Sequence, residues 1–396
     1  MKFTILQSEF AKALNISGKS LLTKTNLPIL SNILIKAEDS KLEVVSTDLE
    51  TATRAIVKTK VGAEGEITVA GRTLSEFISQ LPEGEVVFEK LGGEVVVSTK
   101  GYNARLATMP PEEFPAIPKI EKGITIEFEA PDFVRGVIRV AFSAAQDEGR
   151  PVLTGVLGEI NKNKLAMVAT DGYRLGFAEI NLGKTTGVPS LKMIIPAKAV
   201  SEVAKILADM GMIDGAGQAE KSRDKIKMVV GEALNQVNFR IGDLAKEGVE
   251  VEFTSRLIEG EFPNWQKIIP SVFNTKVIID RQDFIRLVRI ASIFARDSGN
   301  IVRLKLEGDK NGKKGVFTVN AASSQVGSSD ASCEVGLTGK GGEIAFNFRY
   351  LLEILSVVED ELITFEMNES LNPGRITGQD AKDNFFHIIM PVRLQS

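Results

Sequence analysis

The chain has 396 residues, too many for one hydrophobic core, because single cores stop growing near about 250–300 residues; two or three domains are expected. Hydrophobic residues at 43% and charged residues at 25% exclude large-scale disorder. A single cysteine, Cys333, excludes an intrachain disulfide, and a net charge of −4 excludes an indiscriminate polyanion binder, so any contact with nucleic acid has to be local.

The opening MKFTILQSEF turns polar too early for a secretory leader, and no apolar run reaches the ~18 residues of a membrane helix, so no membrane contact is expected and the compartment is cytoplasmic. From Thr4 the pattern reads as strand then helix, the helix beginning at Glu9 and carrying Phe10. Alternating or β-branched runs at 33–35 and 42–45 predict strands. A second helix begins near Thr73, with Leu74, Phe77, Ile78 and Leu81 at helical spacing, and strands return at 85–88 and 94–97 around Gly92-Gly93. The same order starts again at Ile126, with helices from Asp132 and near Ala199, and a third time at Val277, with helices from Asp283 and near Tyr350. Three copies of one unit are therefore expected.

The registers agree. Phe10, Phe133 and Phe284 are the anchors, and Thr47-Asp48 lies as far from Thr170-Asp171 as Phe10 does from Phe133. Arg72, Lys198 and Arg349 align in the second helix of each copy, and Glu113-Phe114-Pro115 aligns with Glu261-Phe262-Pro263. An insertion in the second copy is placed at about 209–225, a Gly-rich charged stretch. The copies are bounded as 1–122, 123–271 and 272–396.

In the third copy Phe284, Leu287, Val288 and Ala291 share one helical face. Two residues past each anchor stands a cation, namely Lys12, Arg135 or Arg286, which at about 100° per residue points away from that face. Arg139, Arg289 and Lys19 fall in the same outward sector. A solvated face is the plain reading of such residues. The column of Arg72, Lys198 and Arg349 says more, because it sits at a helix start, where the dipole disfavours a cation by about 0.3 kcal/mol or more. A phosphate-bearing partner would offset that cost, and cations on equivalent helices imply one shared positive surface.

Catalysis finds little support. His387 stands in an apolar, strand-like run and reads as a core residue; Cys333 has no metal-ligand spacing. Gly215-Ala216-Gly217 is an incomplete dinucleotide fingerprint, and no phosphate-cradling loop motif occurs. The acidic pairs Asp147-Glu148 and Glu359-Asp360-Glu361 could hold magnesium for a nuclease but read better as solvated loops. No cofactor and no metal are expected. A repeat protein that only scaffolds other proteins is the remaining rival.

The chain resembles the bacterial DNA sliding-clamp family, the processivity subunits of the replicative DNA polymerase. Thr25-Asn26-Leu27-Pro28-Ile29-Leu30, Thr47-Asp48-Leu49-Glu50, Ala169-Thr170-Asp171-Gly172-Tyr173-Arg174-Leu175, Glu261-Phe262-Pro263 and Met390-Pro391-Val392-Arg393-Leu394 carry the resemblance, which spans nearly the whole chain. It implies an α+β fold of three tandem clamp domains, each with two inner helices and outer antiparallel β-sheets. It implies a head-to-tail homodimer forming a closed ring around duplex DNA, without catalysis. Lys24, Arg72, Gln146, Arg150 and Lys198 match positions that touch DNA, although Pro151 and Val152 follow Arg150 where relatives often have aromatic residues.

The resemblance also implies an apolar groove for short motifs of the polymerase, the clamp loader and repair proteins. From the second copy its residues are Leu153, Thr170, Gly172, Tyr173, Arg174 and Leu175, followed by Pro263, Lys267 and Ile268. From the third they are Asn347, Tyr350, Ile388, Met390, Pro391, Val392, Arg393 and Leu394. Without the resemblance, Thr-Asp-Gly reads as a tight turn and 388–394 as a closing strand.

Overall fold

A computed structural model describes residues 1–117, 119–120, 122–182, 190–213, 225–233, 235–308, 314–379 and 384–393. Most of the expected insertion, with Gly215-Ala216-Gly217, lies outside the described residues, as does the end of the chain from Leu394.

The helices are α1 (Gln7–Ser17), α2 (Gly71–Gln80), α3 (Ala130–Val140), α4 (Ala197–Asp209), a short α5 (Leu244–Glu247), α6 (Arg281–Ala295) and α7 (Phe348–Val357). Each of the six long helices starts two positions before its expected residue, at Gln7 rather than Glu9 and at Gly71 rather than Thr73, for example. For α1, α3 and α6 the reason is that Glu9, Asp132 and Asp283 are not caps. They occupy the third helical position, where a carboxylate faces the unpaired N–H groups and the positive end of the dipole. The cap of α6 is Asp280, whose Oδ1 accepts from Asp283 N at 2.9 Å.

Two compact units make up the chain: the described residues of Met1–Val134, Leu182–Val188 and Lys198–Ile258 form the first, and those of Arg135–Asn181, Pro189–Ala197 and Glu259–Ser396 the second. The first is built on a 13-stranded antiparallel sheet. Its order is Gly123–Glu129, Lys225–Gly231, Gln236–Gly242, Val249–Arg256, Thr51–Lys58, Lys41–Thr47, Asn32–Glu38, Gly65–Ala70, Tyr102–Met109, Glu94–Thr99, Glu85–Leu91, Lys2–Leu6 and Lys60–Ala63. The second has a 12-stranded sheet. Its order is Leu191–Pro196, Gly155–Asn161, Lys164–Thr170, Arg174–Asn181, Phe385–Ile389, Gly374–Gly378, Leu362–Met367, Thr275–Asp280, Gly327–Thr338, Lys314–Ser323, Ile301–Gly308 and Gly342–Asn347.

The middle copy therefore gives four strands to each sheet, and each sheet is continuous across a junction between copies. In the first unit Val249–Arg256, the last strand of copy two, pairs with Thr51–Lys58, from Val249 opposite Val57 to Ser255 opposite Thr51. In the second, Phe385–Ile389, the last strand of copy three, pairs with Arg174–Asn181, Arg174 lying opposite Ile389. The bond that extends each joint is also repeated, Arg256 N to Glu50 O at 2.9 Å and Met390 N to Tyr173 O at 2.8 Å.

Each anchor ring is fully buried against other phenylalanines. Phe10 lies edge-on to Phe3 and Phe88, Phe133 packs on Phe128 and Phe239, and Phe284 meets Phe317 and Phe365. Truncating any of them to alanine would cost about 3–5 kcal/mol. Among the described residues no helix is long and apolar enough to cross a membrane.

Candidate functional site

The Thr-Asp turn is the seed of the site. Thr170 Oγ1 donates to the Arg174 carbonyl and accepts from Gly172 N, while Asp171 Oδ1 accepts from Tyr173 N and Arg174 N. Copy one forms the same four bonds: Thr47 Oγ1 to Thr51 O, Leu49 N to Thr47 Oγ1, and Glu50 N and Thr51 N to Asp48 Oδ1. The residue between must take a positive φ, 91° at Gly172 and 75° at Leu49. At Gly172 a Cβ would stand 3.0 Å from Arg150 Nη1, the tip of an exposed side chain with room to move, so it is the positive φ that favours glycine there.

The copies diverge at the last residue of the turn, Thr51 in the first and Arg174 in the second. The Arg174 side chain is 8% exposed. Its Nε meets Asp171 Oδ2 at 3.1 Å, Nη1 meets the Glu353 carboxylate, and Nη2 donates to the Phe142 carbonyl at 2.8 Å. The guanidinium also lies 4.6 Å from the Tyr350 ring centroid and 5.2 Å from that of Phe142. With these donors engaged, Arg174 acts as a brace that locks the turn to α7 and holds the Tyr350 ring. Burial raises the Tyr350 pKa, with a further push from Asp171, so the hydroxyl stays protonated.

Several of the residues expected in the groove lie near this brace. Leu175 and Ile388 face each other across the joint and are fully buried; Leu153, at 6% exposure, lies on the 3-10 turn Pro151–Thr154, which packs on Lys164–Thr170. Tyr173 is well exposed, at 60%. The C-terminal segment is tied down twice, by Met390 N to Tyr173 O and by Val392 N to Ala345 O, both 2.8 Å. Asn347 caps α7, its Oδ1 accepting from Arg349 N at 3.0 Å. Ile268 closes the 3-10 turn Trp265–Ile268, which is anchored by the Trp265 ring 5.2 Å from that of Phe177. Pro263, Lys267 and Arg393 are exposed and Pro391 is half-buried. Glu353 and Phe142, which fix Arg174, carry no sequence signal, since each is far from Arg174 along the chain.

The second basic column holds its register: Arg72, Lys198 and Arg349 are each the second residue of their helix, and all three are exposed. Arg72 pairs with Glu76 at 2.7 Å and Arg286 with Asp283 at 3.1 Å, exposed pairs of small energetic weight. Among the described residues Lys24, Arg150, Lys198 and Arg289 form no ion pair. Lys12 and Arg135 are half-buried and Gln146 is exposed. Lys19 pairs with Asp209 at 2.8 Å.

Arg139 departs from expectation. It is 6% exposed, lies 4.1 Å from the Phe385 ring centroid and reaches Glu359 at 3.8 Å. Its sector lies on the flank of the apolar stripe, and the third copy covers that flank with Phe385. Arg139 is a packed residue here, not an outward cation.

Comparison with known proteins fits this geometry. The N-terminal, central and C-terminal domains of the DNA polymerase III beta subunit match residues 1–118, 127–264 and 266–393. The beta sliding clamp of Chlamydia pneumoniae is 30% identical over 397 residues, covering 100% of this chain and 99% of that protein. That of Streptomyces coelicolor is 29% identical and covered in full on both sides. Solved DNA polymerase III beta subunits superpose along the full length of both chains, with a TM-score of 0.87 at 27% identity for Thermotoga maritima and 0.88 at 26% for Pseudomonas aeruginosa. The fold is that of a three-domain DNA clamp. The chain belongs to the DNA polymerase III beta subunit family. As a member it is a sliding clamp, a processivity factor of DNA replication and not an enzyme.

Proposed function

We propose that two copies of this chain close head to tail into a ring that encircles duplex DNA in the cytoplasm and tethers the replicative polymerase to it. The observation that carries this reading is the repeated sheet joint. Twice within the chain, the last strand of one copy pairs with the third strand after the first helix of the copy before it. One half of such a joint is left over at each extreme. Tyr102–Met109, the last strand of copy one, has an outer edge over 102–107 without a strand partner among the described residues. Gly327–Thr338, the counterpart in copy three, has one over 327–335. Bare edges of this length invite pairing. The edges also differ in charge, with exposed Arg105 on the first and exposed Asp330 and Glu334 on the second. Such a contact is heterologous and yields a ring when its rotation closes.

The copies, taken as 1–122, 123–271 and 272–396, then present Lys12, Lys24, Arg72, Arg135, Gln146, Arg150, Lys198, Arg286 and Arg289 toward DNA. Weak phosphate contact of this kind permits sliding. The groove braced by Arg174 takes peptide motifs of the polymerase, the clamp loader and repair proteins. Leu153, Leu175 and Ile388 back it from beneath, and Tyr173 and Tyr350 supply an aromatic wall. The clamp, once loaded, is expected to stay on nicked circular DNA and to run off after linearisation. Equal retention on both forms would overturn the ring; no retention on either would leave a scaffold, and magnesium-dependent cleavage a nuclease.

A further inference from the structure

A cavity of about 310 Å³ opens on the first unit beside the joint between copies one and two. Its floor is a row of three side chains on neighbouring strands, with Arg240 opposite Glu252 and Glu252 opposite Arg54. The next row on the same face is Asn238, Thr254 and Ala52, and the segment carrying Ile117, Lys119 and Ile120 forms the remaining wall. Among the described residues, three cations thus line the cavity against one carboxylate.

Glu252 does not satisfy the arginines. It lies 3.6 Å from each guanidinium, and Glu43 lies 3.9 Å from Arg54. Neither guanidinium makes a side-chain hydrogen bond among the described residues, although the Arg54 side chain is only 20% exposed. Asn238 is also incomplete. It is 7% exposed, its Nδ2 donates to Thr254 Oγ1 at 2.9 Å, and its Oδ1 is buried with no partner. A threonine hydroxyl both donates and accepts, so the amide can turn over and present its N–H groups at the free end instead.

The equivalent joint in the second unit shows that this polarity is not needed to hold the strands together. There Phe177 stands at the place of Arg54 and Phe386 at that of Glu252, their rings stacked at 4.7 Å, and Trp265 covers them at the place of Ile117. At one joint three aromatic rings fill the row, although an opening of about 650 Å³ lies beside Phe177 and Trp265. The other keeps a cationic cavity with unsatisfied donors.

We infer that this cavity binds an oxyanion, a carboxylate or phosphate group, borne on a small apolar body that rests on Ala52, Ile117 and Ile120. The two guanidiniums and Lys119 supply charge-assisted donors in a site partly shielded from water, where each such bond is strongest. The Asn238 amide completes the cradle.

The test uses the full chain with 13C-labelled isoleucine methyls, and as probes inorganic phosphate and N-acetyl-leucyl-aspartate, with neutral N-acetyl-leucinamide as control. The Ile117 and Ile120 methyls are expected to shift and saturate with a Kd on the order of 1 mM or tighter for at least one acid, and not for the control. Which acid acts tells the phosphate source from the carboxylate one. Arg240→Gln is expected to weaken binding at least tenfold. Glu252→Gln, which removes the competing carboxylate, is expected to tighten it, an effect that misfolding cannot imitate. No shift with either acid, an equal shift with the control, or a Glu252→Gln variant that binds no tighter would overturn the site.

Discussion

Leu49 and Gly172 perform the same task in the same turn with different side chains. A leucine at a φ of 75° carries about 1–2 kcal/mol of strain, whereas glycine there loses about 0.5–1 kcal/mol through chain entropy. Leu49→Gly is therefore expected to be neutral or to stabilise by up to about 1 kcal/mol in denaturant titrations. Gly172→Ala, which meets the positive φ, should destabilise by about 1 kcal/mol. A Leu49→Gly variant less stable than the parent by a similar amount would show that the turn is not the repeated device described.

His387 makes a pH prediction at the same scale. The ring is wholly buried beside Phe142 and Phe385, and neither nitrogen has a hydrogen-bond partner among the described residues. Burial, followed by the charges of Arg139 and Arg174, lowers its pKa to about 3. Because the folded value lies below the unfolded one, near 6.5, protonation favours the unfolded chain. Stability from this residue is complete above pH ~6.5 and falls as the pH drops toward 3, with about 2 kcal/mol lost between pH 7 and 5. His387→Phe should flatten that part of the stability profile; an unchanged slope between pH 7 and 5 would show that His387 titrates normally.

At the level of elements, the sequence was legible wherever a single periodicity governed a segment. The six long helices, the anchor phenylalanines and the basic residue at the second position of α2, α4 and α7 follow from spacing alone. The starts of α1, α3 and α6 lie two residues earlier than expected because an acidic residue in the first turn looks like a cap when it sits inside the helix. Arg139 was misread for a different reason: a helical wheel assigns an inside and an outside but knows nothing of a neighbouring copy that covers the flank. The groove was legible only through resemblance, since its brace is made by groups distant in sequence, Arg174 with Glu353 and Phe142.

The C-terminal segment tests the groove as an element. Val392 N is bonded to Ala345 O and Met390 N to Tyr173 O, so the segment borders the turn without belonging to the open edges of the proposed dimer. Deleting 392–396 is expected to weaken binding of a polymerase motif peptide at least tenfold by calorimetry and to leave the assembly state unchanged. Unaltered peptide affinity would remove the segment from the groove.

For the molecule as a whole, the charged strand edges can be tested by exchange. Arg105→Glu alone should weaken self-association about tenfold or more in sedimentation, by setting like charges against Asp330 and Glu334, and Glu334→Arg added to it should recover part of the loss. A dimer indifferent to both changes would have to use other edges.

The joint that recurs at 249–256 with 51–58 and at 385–389 with 174–181 has a consequence for how such an assembly comes apart. Within a chain the two halves of a joint face each other at an effective concentration fixed by the covalent connection, so dilution cannot separate them. In the proposed ring only the joints between chains obey mass action. Fusing three units into one polypeptide would thus make most of the circumference indifferent to how much protein the cell holds, and confine opening to the places where one chain ends and the next begins.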